Sequence, residues 1–479
     1  MKPPREHGWV ALFLALPLLL YLLLPTRNFY WDGVGISIDI EKGLPLRSLL
    51  YPSHLAYAVW GAWLYKLMGA LGTHARALFV LQAANGILAG ICVILIYKVV
   101  QQAGASDLWS ALAGLTFGFS ATWWRFATDS NAYVPSICLV LCSYLLIRKQ
   151  KPAALAGLSL AGAMLFHELA ILFLPVALLA LRNNRRSIAA FGLASLGPVA
   201  ILYGISYKIA LPAGSWTLFP AWLTLHSPDS GFSFSLGRNI VFSIRGTLRL
   251  FFGGRLADAV PGPLSKLALI ALAAALLGLA YCVWRARRTL NLSAPPPLFV
   301  LWIGLYAAFL LFWMPQNTFY RLFYLAPLIA ALFLATKRSP ELLGWLFAAA
   351  MFLWNLTFVT YPQSQITFNA PLRFAMAQRE KWTPGTPIVF HDFNADLWTI
   401  AYFSPETAWI SLDRPDLVQL DRDLEYARQR REPLWLEAGA YALIASSSEG
   451  RRWLAEHERP GELIRFRDAK HEYRFYSAR

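Results

Sequence analysis

The sequence predicts an all-α polytopic membrane protein with a small C-terminal α/β soluble domain. Three observations predict it. Of 479 residues, 57% are hydrophobic and only 15% are charged, against averages of about 45–50% apolar and about 25% charged for soluble globular chains. Long apolar runs recur with short basic clusters between them, and after Thr360 the composition turns soluble. Up to Pro362 the chain has 10 acids and 27 bases; beyond it there are 17 acids and 16 bases. The formal charge of +16 therefore resides in the apolar part. Basic clusters between hydrophobic runs follow the positive-inside rule and set topology. They are not gathered on one soluble surface and no nucleic-acid motif accompanies them, so nucleic acid is excluded as a partner.

Taken in order, residues 9–24 form an apolar run after Lys2 and Arg5. No A-x-A cleavage pattern follows, so the run reads as a retained span rather than a signal peptide. Further runs occupy 77–97, 108–123, 132–147, 153–166, 168–181, 188–208, 264–284, 298–314, 319–335 and 341–359. Arg148, Lys149 and Lys151 precede the pair 153–166 and 168–181, and Arg182, Arg185 and Arg186 follow it. Both clusters favour the cytoplasm, so the chain crosses twice and turns near His167 and Glu168 on the far side. Residues 53–71, with His54, Tyr57, Trp60, Trp63 and Lys66, read as an interfacial helix; a span there would put the later basic loops outside. With Lys98, Arg285–Arg288, Lys337 and Arg338 also inside, the count is about eleven transmembrane helices. The N-terminus is then cytoplasmic and the C-terminal domain extracytoplasmic.

The expected organisation is a membrane domain over 1–360 and a soluble domain over 361–479. Two extracytoplasmic segments, 25–76 and 211–263, are too long for turns, and structureless loops of that length are uncommon unless functional. The second carries Arg238, Arg245, Arg249 and Arg255 among Phe232, Phe234, Phe251 and Phe252. In the tail, Ile388–Phe390, Ala408–Ile410 and Ala442–Ile444 read as short buried strands, Asp416–Arg431 as a charged helix, and Leu463–Phe466 with Tyr473–Tyr476 as a closing strand pair. The tail has neither a Gly-rich phosphate fingerprint nor a metal-ligand cluster, and the chain has no internal repeat of the inverted-transporter kind. Cys92, Cys138, Cys142 and Cys282 all fall within apolar runs and read as small buried hydrophobes rather than a disulfide or metal set.

In this topology only Glu6, Asp107 and Glu341 of the acids before Pro362 lie at cytoplasmic ends. The others face outward. Charge at membrane depth is costly and usually lines a polar site, so chemistry is expected at the outer face. Asp32, in Tyr30-Trp31-Asp32-Gly33, follows the first span and is suited to act as a general base; its alternative is a loop aspartate capping a helix. Asp129 stands at an outer turn just after Arg125, where helix capping is the alternative. His54 opens the interfacial helix, and His167 and Glu168 occupy the tight outer turn. Arg321, in Phe319-Tyr320-Arg321-Leu322, begins a span from outside; its planar fork of donors suits a phosphate, with snorkelling as the alternative.

Together these pieces resemble the GT-C superfamily of membrane glycosyltransferases, in particular its protein-mannosyltransferase-like and aminoarabinose-transferase-like branch. An acid, Asp32, follows the first span. Tyr51-Pro52-Ser53-His54-Leu55-Ala56-Tyr57 precedes Leu64-Tyr65-Lys66-Leu67. The block from Trp124 through Arg125 and Asp129 to Tyr133 is similar to the family's ATExEVY outer turn. Leu165-Phe166-His167-Glu168 leads into Leu172-Phe173-Leu174-Pro175, and Tyr320-Arg321-Leu322-Phe323-Tyr324-Leu325-Ala326-Pro327 is similar to its RYxxP helix start. The likeness covers residues 8–182, thins towards 330 and does not reach the tail. Asn131 stands where some relatives carry a second acid, and a single His54 where some carry a pair, so no metal is assigned.

The resemblance implies a GT-C-like fold in a bacterial inner membrane and inverting transfer of a sugar from a polyprenyl-phosphate carrier to a glycan, lipid or protein acceptor, without a cofactor. A lipid-borne donor suits an outer site, where nucleotide sugars are not expected. Asp32 and Asp129 would be the catalytic pair, with Asp32 as base. Arg321 first, then Arg125 and one of Arg245, Arg249 or Arg255, would meet the donor phosphate; Asp129 and His54 would position acceptor or sugar, and His167 and Glu168 would line the cavity. A transporter or flippase of lipid-linked glycans is the alternative from another class.

Overall fold

In the computed structural model, the described residues are 8–224, 231–255, 258, 260, 262–286, 293–392, 394–468 and 471–479. The expectations for Lys2, Arg5, Glu6, Asp229, Arg287 and Arg288 lie outside them. The chain divides into two compact units. One comprises Met1–Thr26 and Ile36–Ser364; the other comprises Arg27–Gly35 and Gln365–Arg479.

The first unit is helical. Its elements are α1 (Gly8–Leu23), α2 (Trp31–Glu41, which begins in the other unit's segment), α3 (Tyr57–Ala70), α4 (Ala77–Gln102), α5 (Asp107–Gly118), α6 (Ala121–Ala127), α7 (Tyr133–Arg148), α8 (Ala153–Phe166), α9 (Leu174–Ala180), α10 (Arg185–Ala210), α11 (Phe219–Leu223), α12 (Leu236–Phe251), α13 (Pro263–Ala286), α14 (Pro297–Phe312), α15 (Leu322–Ala335), α16 (Glu341–Asn355) and α17 (Tyr361–Ser364). Short 3-10 turns at Pro52–His54, Glu168–Phe173 and Phe319–Arg321 interrupt the series. Among the described residues, four helices are long and apolar enough to cross a membrane: Ala77–Gln102, Arg185–Ala210, Ser265–Arg285 and Glu341–Ser364. Shorter apolar helices accompany them, and the chain is an integral membrane protein.

Central α4 packs against α1, α3, α5 and α7, while α8 lies between α7 and α10. The α8–α10 approach is close because Gly157 has no side chain: a Cβ there would stand 2.9 Å from Ala194 Cβ. Without water to drive helices together, small residues at crossings supply the contact. The run 153–181 breaks at His167, whose extended backbone ends α8 before the 3-10 turn begins. Within the long segments expected at 25–76 and 211–263, the described residues include α2 and α3 in the first and α11 and α12 in the second.

The second unit is an α/β domain. It contains α18 (Ala370–Gln378), β1 (Pro387–Phe390), α19 (Ala395–Phe403), β2 (Ala408–Ser411), α20 (Leu417–Gln429), β3 (Leu434–Glu437), α21 (Ala438–Ala445), α22 (Ser448–His457), β4 (Glu458–Arg467) and β5 (Glu472–Ala478). The sheet order is β2-β1-β3-β5-β4. β1 runs parallel to both β2 and β3, and β5 runs antiparallel to β3 and β4. Val389, Leu420, Leu424, Leu434, Leu436, Ala440 and Ile444 form its core.

One strand expectation is corrected. Ala442–Ile444 is helical, within α21, and the third strand is Leu434–Glu437. Glu437 is the reason. Its carboxylate accepts from the N–H groups of Gly439 (2.7 Å) and Ala440 (3.3 Å), capping a helix exactly where the apolar run begins. The run that follows is rich in alanine, the best helix former.

Candidate active site

The turn between α6 and α7 is held by buried side-chain amides. Asn131 Oδ1 accepts from the N–H groups of Tyr133 (3.1 Å) and Val134 (3.2 Å), and its amide donates to Phe126 O at 2.6 Å. From α4, Asn85 donates to the carbonyls of Asp129 (2.8 Å) and Asn131 (2.9 Å), and Gln82 donates to those of Thr26 (3.0 Å) and Thr128 (3.1 Å). Asp129 is 1% exposed, and its Oδ1 accepts from the Ser130 N–H at 2.8 Å. Ser130 in turn shares a hydrogen bond of 3.0 Å with the buried Tyr57 hydroxyl. Asp129 is thus built into the turn that aims Tyr133.

Tyr133 belongs to an aromatic cluster drawn from four segments. The rings of His54 and His167 lie 4.8 Å apart between centroids, and Tyr133 lies 4.7 Å from His167. Tyr320 and Phe323 close the cluster at 5.9 and 5.2 Å from His167. His54 is positioned by the Pro52–His54 turn, which is held by the Tyr203 hydroxyl donating to Pro52 O (2.8 Å) and by Ala56 N–H donating to Leu165 O (2.8 Å). His167 Nδ1 accepts from the Leu169 N–H at 3.2 Å, so in the neutral ring the proton sits on Nε2. Glu168 follows, partly exposed, as the first residue of the 3-10 turn. The structure therefore brings together His54 and His167, two residues that sequence reading singled out separately.

Arg321 shares the Phe319–Arg321 turn with Tyr320, but it serves a different neighbour. It is 1% exposed, and its Nη2 donates to Pro315 O (2.7 Å) and Ser243 Oγ (3.3 Å). Its Nε takes no acceptor, and no carboxylate lies within 4.0 Å of it among the described residues. The guanidinium lies against Gly246 of α12, where a Cβ would stand 3.0 Å from Arg321 Cδ and closer still to Nε. A buried guanidinium without a counter-charge costs several kcal/mol.

Helix α12 carries the other arginines. Leu236, Ile240, Val241, Ile244 and Leu248 are exposed along one stripe; Arg238, Arg245 and Arg249 are exposed beside it. Asn239, Gly246 and Leu250 are buried on the inner face. Apolar and basic stripes side by side suit a helix lying in a membrane interface. Partial burial, then repulsion from Arg245 and Arg255, lowers the Arg249 pKa. Arg125, on α6, has a buried Nε without an acceptor among the described residues, and Thr122, one turn earlier, donates to Arg249 O at 2.9 Å.

Asp32 belongs to the segment grouped with the second unit, in the first turn of α2. There Trp31 stacks on Trp398 (5.6 Å), Phe29 stacks on Phe403 (5.3 Å), and Asn369 donates to Arg27 O. Two other acids have structural partners. Glu41 pairs with Arg76 at 2.7 Å and accepts from the Ala77 N–H at 2.7 Å. Asp39 accepts from the Tyr51 hydroxyl, and burial lifts its carboxyl above the usual aspartate range.

Sequence reading missed Tyr133, Tyr320, Tyr57 and Gly246 as parts of this region. It also missed Gln82 and Asn85, although two amides within a long apolar run are the signal that could have found them. Among the described residues, no three His, Cys, Asp or Glu side chains are grouped to hold a metal ion.

The described residues thus form a unit of short and long apolar helices and a C-terminal unit with an α/β sheet. No family model matches the sequence, and no curated protein matches it. Among solved structures, the chain is similar to ArnT from Cupriavidus metallidurans bound to undecaprenyl phosphate, with 13% identity, 98% of each chain covered and a TM-score of 0.58. It is also similar to the apo state of that protein (15% identity, 98% of each chain covered, TM-score 0.49). An Archaeoglobus fulgidus oligosaccharyltransferase matches over 97% of this chain and 73% of its own, at 13% identity and a TM-score of 0.41. At such identities, the ArnT likeness shows a shared fold.

Proposed function

We propose that this protein transfers a sugar from a polyprenyl-phosphate carrier to an acceptor at the extracytoplasmic face, with inversion at the anomeric carbon. One observation carries the reading: buried Arg321 lacks a carboxylate partner among the described residues and packs on a helix whose exposed face pairs apolar residues with Arg245 and Arg249. That combination matches a ligand with a phosphate head and a hydrocarbon tail. The ArnT structure with which the fold is shared has undecaprenyl phosphate bound, which supports a carrier of this kind.

In this reading Asp32 accepts the proton of the acceptor hydroxyl or amine as that atom attacks the anomeric carbon. The bond from that carbon to the phosphate oxygen breaks on the opposite face, and the carrier phosphate leaves with the electron pair. Arg321, with Arg125, Arg245 and Arg249, stabilises its developing charge. Asp129 holds the turn that orients Tyr133, while His54, His167 and Glu168 position the sugar. The test is donor binding by purified protein with a polyprenyl-phosphate monosaccharide. Arg321→Ala should weaken donor affinity more than acceptor affinity; unchanged donor affinity removes the phosphate contact.

A further inference from the structure

The C-terminal unit has its own cavity, of about 270 Å³, at one edge of its sheet. The topology explains its position. From β1 the chain passes through α19 to β2 on one side; the next crossover, through α20, returns to β3 on the other side. The order of connection thus reverses at β1. In open α/β sheets a crevice forms outside the carboxyl ends of the strands at such a reversal. Asn394 and Asp396 follow β1 there, Glu437 ends β3, and His471, Tyr473 and Arg474 come from the start of β5. β5 runs antiparallel to β3, so its first residues meet the last of β3, with Phe475 paired to Glu437.

The lining offers hydrogen-bonding groups of both kinds. Asp396 Oδ2 accepts from the Tyr473 hydroxyl at 2.8 Å, and Glu437 Oε2 accepts from the backbone at the head of α21. The other oxygen of each carboxylate takes no hydrogen bond among the described residues. Asn394 caps α19 through Oδ1 (3.1 Å to the Asp396 N–H), which leaves its amide NH₂ as a donor. Arg474 is neutralised by Glu472 at 2.9 Å, so the cavity does not present the surplus positive charge a phosphate needs. Three metal-ligating side chains are not grouped here. The volume falls just below the roughly 300–1,000 Å³ of drug-sized pockets, which leaves room for one sugar ring rather than a chain.

We propose that this cavity is a carbohydrate-binding site for a single neutral, hexose-sized unit, its hydroxyls donating to Asp396 and Glu437 and accepting from Asn394 and His471. None of its lining residues is among those assigned above to the transfer chemistry. The site gives the C-terminal unit a role in holding glycan.

Saturation-transfer NMR on the full-length protein in detergent tests it, with glucose, galactose, mannose, arabinose and N-acetylglucosamine as neutral probes and ethylamine as a cationic one. Saturable binding of at least one neutral sugar is expected. It should weaken at least tenfold in Asp396→Asn and in Glu437→Gln, and stay unchanged in Arg321→Ala, which separates this site from the donor site. Circular dichroism and melting confirm that each variant is folded. The proposal is overturned if none of the neutral sugars binds, if only ethylamine binds, or if sugar binding survives both acidic substitutions in folded protein.

Discussion

Gly246 and Arg321 occupy one another's space: a Cβ on Gly246 would stand 3.0 Å from Arg321 Cδ and closer to Nε. The absence of a side chain at Gly246 lets the guanidinium lie against α12. Gly246→Ala should therefore displace Arg321 while leaving its charge intact. Because a fixed charge facing a leaving group contributes about 10²–10³ in rate, we expect a loss approaching that range, with donor affinity falling as well. Kinetics with varied donor concentration check this, and wild-type kinetics from folded Gly246→Ala would contradict it.

Asp32→Asn should abolish the proton acceptor without changing side-chain size. General-base assistance contributes roughly 10²–10⁴-fold, so turnover should fall by that order while donor binding and the melting profile stay near wild type. Wild-type turnover would remove Asp32 from the chemistry.

Asn85→Leu should act through stability. It removes the side-chain donor of the buried Asn131 carbonyl and leaves the Asp129 carbonyl with the Asn131 amide at 3.1 Å. An unsatisfied buried polar group costs about 1–3 kcal/mol. Melting in detergent should move down, and Tyr133, anchored by the same turn, should lose its order near His167.

Glu437 gives a pH dependence with a definite sign. Burial raises its pKa, and the Gly439 and Ala440 N–H groups offset this only in part. Below the unfolded glutamate pKa of about 4.3 both states hold the proton and the shift costs nothing. As pH rises through that value the unfolded glutamate ionises while the buried one keeps its proton, so folding must take up a proton and stability is lost until the raised folded value is passed. Glu437→Gln keeps an acceptor for the cap and avoids this loss. Hydrogen exchange in α21 should therefore be slower in Glu437→Gln than in wild type at pH 7.5, with the difference vanishing near pH 3.5. A difference independent of pH would contradict the assignment.

Much of this architecture could be read from the residues. Hydropathy located the apolar helices, and the basic clusters around 153–181 located a break that falls at His167. His54 and His167 were singled out because both were expected on the same side of the membrane, and their rings do meet. Arg321 was chosen for its guanidinium, but its neighbours were not foreseen: Ser243 is 78 residues away, and no local pattern couples the two. The strand expectation at Ala442 failed because a short apolar run has no period of its own; the cap at Glu437 decided it. Tyr320 was read only as part of a motif and given no role of its own, because that role depends on a turn that sends neighbouring side chains to different partners, Tyr320 to His167 and Arg321 to α12.

The most direct measurement of the central claim is sugar transfer by purified protein in detergent, where no compartment exists to transport across. With a radiolabelled polyprenyl-phosphate sugar and an envelope-glycan or lipid acceptor, the account predicts a product of inverted anomeric configuration that Asp32→Asn does not form. Donor bound but never consumed in detergent, together with carrier movement across reconstituted vesicles, would contradict it and favour translocation.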